Sequence, residues 1–106
     1  MFRQGDVYVT PVKAIPAGAE KMERDARYNG VVLAYGEVTG HAHVIREKSV
    51  TMFRDPKLNE TFLDIPAGGP VALKHDEHET IEIPAGTYKV VRQVEYTPEA
   101  IRNVAD

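Results

Sequence analysis

Short runs of Val, Ile, Tyr, Phe and Thr alternate with polar residues along nearly the whole chain, and glycine or proline closes most of them. This pattern predicts strands over residues 7–12, 31–39, 41–46, 50–54, 61–65, 71–75, 80–83 and 88–96. Only two brief stretches suit a helix. One is residues 19–26, and the other is the tail from Thr97, where Thr97 can cap a turn with Pro98 in its first position. The core must therefore come from sheet. The fold class expected is all-β, a small antiparallel barrel or roll with a short helical turn at one or both ends.

The tetrapeptide Ile-Pro-Ala-Gly occurs at 15–18, 65–68 and 83–86. Proline presets φ for the second position of a β-turn and glycine suits the fourth, so each copy marks a corner where the chain reverses. The residues around the three copies do not match, which favours a reused turn over a duplicated unit. In the last expected strand Tyr88, Val90, Arg92, Val94 and Tyr96 share one face. Arg92 interrupts that apolar face. It needs an acidic partner inside the protein, the preferred reading, or a cavity that receives an anion.

Composition narrows the function classes. With 106 residues, 42% hydrophobic and 27% charged, the chain suits one domain, residues 1–106, with one core and no room for a second lobe. No apolar run approaches the ~20 residues that cross a bilayer, and the start MFRQGDVYVT lacks the basic and apolar regions of a signal peptide, so the cytoplasm is the expected compartment. The chain has no cysteine, so a metal would have to be held by imidazole and carboxylate. A net charge of -3 with interspersed signs and no basic stripe disfavours duplex nucleic acid as a partner. A small RNA or nucleotide ligand stays open.

All four histidines fall in two tight pairs, His41/His43 and His75/His78. On a strand, His41 and His43 share a face about 6.6 Å apart, within reach of one ion through bonds of about 2.1 Å. His75 and His78 would face opposite ways on a straight strand, and both reach one ion only if the chain bends between them, so one of the two is expected to bind the ion and the other to stand behind it or at the surface. Asp76, Glu77 and Glu79 stand nearby to accept an imidazole N–H, as ligating histidines usually require. The four histidines are expected to converge on one divalent ion, Zn, Fe, Mn or Ni. The other readings are ordinary surface or core histidines and a metal-free catalytic or pH-sensing pair.

The run from Gly36 through His41-Ala42-His43 to Glu47 resembles the first motif of the cupin superfamily, and Ile-Glu-Ile-Pro84-Ala85-Gly86-Thr-Tyr88 resembles the second. The resemblance implies a small antiparallel barrel with a metal in its mouth, held by His41, His43 and Glu47. The position of the family's fourth ligand is Lys89, so His75 or His78 would have to substitute. On a straight strand Glu47 would also stand about 13 Å from His43, too far to share an ion. The chain as a whole resembles small bacterial and phage proteins, which suggests a complete, self-standing chain.

Two function classes result. In the first, a metal-dependent enzyme uses Glu47 or Glu77 as general base, with Tyr35, Tyr88 and Arg92 lining the pocket and holding a small acidic substrate. Oxygenation, isomerisation and hydrolysis all fit. In the second, a binding module captures a small molecule, nucleotide or protein, and its metal is structural or absent. Three protein ligands plus water would favour the enzyme, and a closed sphere of four the module. Exposed sheet edges make a homodimer the expected assembly.

Overall fold

The computed structural model describes residues 1–36 and 41–93. Ten strands form there: β1 (Phe2–Gln4), β2 (Val7–Pro11), β3 (Glu20–Lys21), β4 (Val31–Tyr35), β5 (Ala42–Ile45), β6 (Thr51–Asp55), β7 (Glu60–Ile65), β8 (Val71–Lys74), β9 (Ile81–Ile83) and β10 (Gly86–Arg92). They pair as two antiparallel sheets. One has six strands in the order β1-β2-β10-β7-β6-β3, and the other has four in the order β4-β5-β8-β9.

Alternation along the strands decides which side chains turn inward. Val7 and Val9 of β2, Leu63 and Ile65 of β7, and Tyr88 and Val90 of β10 are buried, and they meet Val31, Ile45, Leu73 and Ile83 of the other sheet in one core. Each fully buried Val, Leu or Ile contributes roughly 1.5–3 kcal/mol. In β5 all four residues are buried. Ile45 points to the main core, while Ala42 and Val44 sit with Val32 under Tyr28 in a second, smaller cluster. By parity with Ile45, His43 also points between the sheets, at the open end of the sandwich.

Two of the Ile-Pro-Ala-Gly corners carry the chain between sheets. Ile65 ends β7 of the six-stranded sheet before β8 of the other, and Ile83 ends β9 before the chain returns as β10. The two corners lie side by side, since Ile65 and Gly86 are register partners. The linker at 46–50, which also crosses between sheets, is pinned by Arg24, whose guanidinium donates to the carbonyls of Arg46, Glu47 and Val50.

Two expectations change. The strands do not close into a barrel: β1 and β3 are the edges of one sheet, β4 and β9 of the other. Chain crossings at the corners replace the continuous pairing that closure needs. The stretch 19–26 is not helical either. Its apolar residues fall at helical spacing, but its backbone pairs with β6, Glu20 opposite Arg54 and Lys21 opposite Phe53, and Met22 N–H donates to Met52 O at 2.8 Å. The expected tail helix from Thr97 lies outside the described residues. Among those residues there is no helix, hence none long and apolar enough to cross a membrane.

Candidate metal centre

β5 runs between β4 and β8, and its register with β8 sets Val44 against Lys74 and Ile45 against Leu73. One step further along the same antiparallel register, His75 comes level with His43. Their ring centroids are 4.4 Å apart. β8 has ended at Lys74, and residues 76–78 bend back towards β9, which returns His78 to the same place. Its ring lies 4.7 Å from that of His75 and 5.7 Å from that of His43. One nitrogen from each of His43, His75 and His78 falls within 4.8 Å of the other two, close enough to hold a metal ion after small rotations of the more exposed rings.

His41 stands outside this group. It precedes the first residue of β5, so the same-face spacing expected for His41 and His43 does not apply. Its Nδ1 lies 2.9 Å from Glu77 Oε1 and its Nε2 3.9 Å from Asp76 Oδ2, and its ring is 6.0 Å from His75. The bend between His75 and His78 brings both of these rings to His43, where only one of them was expected to reach the ion.

Two further residues reach the centre from the other sheet. The β1–β2 hairpin turns at Gly5-Asp6, with Gly5 at φ +58° and Asp6 outside the positive-φ region, the pattern of a type II′ turn. A Cβ on Gly5 would stand 2.7 Å from His78 Nε2, so the bare backbone makes room for that ring. Gln4 is buried at 3% exposure, and its Oε1 lies 2.8 Å from His43 Nδ1. Asp6 Oδ1 lies 3.6 Å from His43 Nε2, and Asp6 Oδ2 accepts from Arg92 Nε at 2.9 Å. Sequence reasoning missed Gln4 and Asp6. The available signal was a glycine-led turn, Gln4-Gly5-Asp6, between two strand-like segments.

Burial pushes the His43 pKa down to about 4, assisted by repulsion from His75 and opposed by the Asp6 carboxylate. His43 is therefore neutral at pH 7, the form that ligates metal. Burial alone would raise the Asp6 pKa, but the hydrogen bond and charge of Arg92 outweigh it and hold Asp6 below the usual carboxylate range. His75 Nδ1 accepts the Glu77 N–H at 3.0 Å, so the lone pair of that nitrogen is engaged and ligation of an ion by His75 would require this bond to break. Around the triad, Asp6, Tyr35, Gly36, His41, Glu77 and Arg92 line an open recess of about 220 Å³.

The chain belongs to the family described as a domain of unknown function, DUF8820, which matches residues 3–93. No curated protein and no solved structure matches it. The DUF8820 span takes in every residue of the recess.

Of the other residues expected in a site, the DUF8820 fold brings some to the histidines and keeps others apart. Glu77, Tyr35 and Arg92 line the recess. Tyr35 donates its hydroxyl to Asp25, a bond that raises the Tyr35 pKa and lowers that of Asp25. Arg92 is half exposed and paired with Asp6 rather than buried within the core. Glu47 does not line the recess, and its Oε2 accepts the Ala72 N–H at 2.7 Å, bracing the linker between sheets. Tyr88 is buried in the core, edge-on to Phe2, with its hydroxyl donated to Pro84 O. Lys89 pairs with Glu60 at 2.9 Å.

Proposed function

We propose that this DUF8820 protein is a metal-dependent enzyme whose divalent ion is held by His43, His75 and His78 and whose substrate is small and acidic or polar. The observation that carries this reading is the convergence of three imidazole nitrogens within 4.8 Å from two separate stretches of chain. Imidazole donors suit zinc, iron or nickel better than the hard cations magnesium and calcium. Three protein ligands leave a position for water facing the recess, and on zinc such a water ionises near pH 7. In this reading Glu77 takes a proton, and Arg92, held by Asp6, offers its remaining guanidinium N–H groups to an anionic group. The cupin likeness supports a metal at His43, while His75 and His78 take the part that the likeness would give to His41 and Glu47.

A second reading has one observation in its favour. Ligands of a tetrahedral ion stand about 3.4 Å apart when their bonds are near 2.1 Å, and Asp6 Oδ1 is 3.6 Å from His43 Nε2. If Asp6 leaves Arg92 and becomes the fourth ligand, the sphere is closed and the metal is structural, as in a binding module. The cobalt(II) form separates the two readings. An open site changes its visible spectrum on adding azide, and a closed one does not.

Metal analysis of zinc-loaded, desalted protein tests the site itself. We expect about one ion per chain in wild type and in His41→Ala, and loss of the ion in His43→Ala and His75→Ala. Wild type that retains no zinc, or His43→Ala that retains it fully, overturns the reading.

A further inference from the structure

Gln4 has no part in the chemistry above, yet its amide is the hub of hydrogen bonding around the three histidines. Its Nε2 donates to Leu73 O at 2.9 Å and to Glu79 O at 2.8 Å. Carbonyl oxygens only accept, so these two bonds decide which end of the amide is nitrogen. The reversed amide would set its oxygen against both carbonyls. The remaining end, Oε1, faces His43 Nδ1 at 2.8 Å and also only accepts. The ring proton of neutral His43 therefore sits on Nδ1. Its lone pair is left on Nε2, the nitrogen that faces Asp6 and the recess.

The two carbonyls bound by Gln4 bracket the other ligands. Leu73 lies near the end of β8 and Glu79 just ahead of β9, and His75 and His78 lie on the bend between them. One side chain, contributed by the opposite sheet, thus fixes the proton on one ligand and the two ends of the loop that carries the others.

We infer that Gln4 is the positioning residue of the centre, holding His43 as its Nδ1–H tautomer and holding the 73–79 loop in place for His75 and His78. The inference rests on the reading of these three histidines as ligands. A ligating imidazole normally donates its second N–H to a fixed acceptor, and loss of such an acceptor typically weakens metal binding 10- to 100-fold. Here the acceptor is an amide, which fixes the ring without adding negative charge beside the ion.

The test uses the whole chain, with imidazole nitrogen NMR on the metal-free protein near pH 7.5 and zinc affinity by competition with a chromophoric chelator. In wild type, His43 should show a protonated Nδ1 and a bare Nε2. Gln4→Leu should give mixed tautomers and roughly 10- to 100-fold weaker zinc binding. Gln4→Glu still accepts from His43 but cannot donate to the two carbonyls, so it should keep the tautomer and still bind zinc more weakly. It also carries the test if Gln4→Leu does not fold. A wild-type ring protonated on Nε2, or zinc binding of wild-type strength in both variants, overturns the role of Gln4 alone. Wild type that binds no zinc overturns the metal reading, and the positioning role with it.

Discussion

Among single side chains, His43 governs how the centre responds to pH. Its pKa is about 4 in the folded protein against 6.5 in an unconstrained histidine, because burial and the neighbouring His75 disfavour the cation. Between those values the unfolded chain binds more protons than the folded one, so stability rises with pH across that window. The contribution of a neutral His43 is complete above pH 6.5 and is lost as pH falls to about 4. The interval corresponds to on the order of 3 kcal/mol. Urea unfolding at pH 7.5 and 4.5 checks it: wild type should lose more stability than His43→Gln, by about 2–3 kcal/mol. Equal losses would contradict the assignment. The sequence displayed the histidines but not their partners. Gln4 bonds His43 across 39 residues and the carbonyls of Leu73 and Glu79 across 69 and 75, and no local pattern encodes contacts at such separations.

Strands and turns were more legible, because alternation reports directly which face of a strand is dry. All eight expected strand segments contain strand in the described residues, yet β1 and β3 escaped. β1 spans three residues and β3 two charged ones, too short for a period to show, and both exist because a neighbouring strand offers its edge. The same edge overrode the helical spacing of residues 19–26. The β1–β2 turn is where an element meets the site. Gly5→Ala would place a methyl group against His78 and force a left-handed conformation on alanine, at a cost of about 1–2 kcal/mol. We expect a lower thermal midpoint together with roughly tenfold weaker zinc binding, though no proposed ligand has changed. Zinc binding that survives intact would show that the turn does not position His78.

Across the whole molecule, the three proposed ligands belong to the four-stranded sheet and its β8–β9 loop, while Gln4, Asp6 and Arg92 come from the six-stranded sheet. An ion bound here would stabilise the folded chain, in which β5 and the β8–β9 loop bring the three ligands together. With free zinc at 100 times its dissociation constant, linkage adds about 2.7 kcal/mol, which in a domain near 100 residues raises the thermal midpoint on the order of 10 °C. Calorimetry with zinc and then with excess EDTA should show that rise and its reversal in wild type, and neither in His43→Ala. A rise of equal size in the variant would point to zinc bound elsewhere. The strand order also bears on how the protein is made. β10 sits between β2 and β7, so a ribosome releases both flanking strands well before the strand that joins them. Until then β2 and β7 are unsatisfied edges on a growing chain. Assembly of the larger sheet, and of the Arg92–Asp6 contact at the recess, must wait until β10 has emerged.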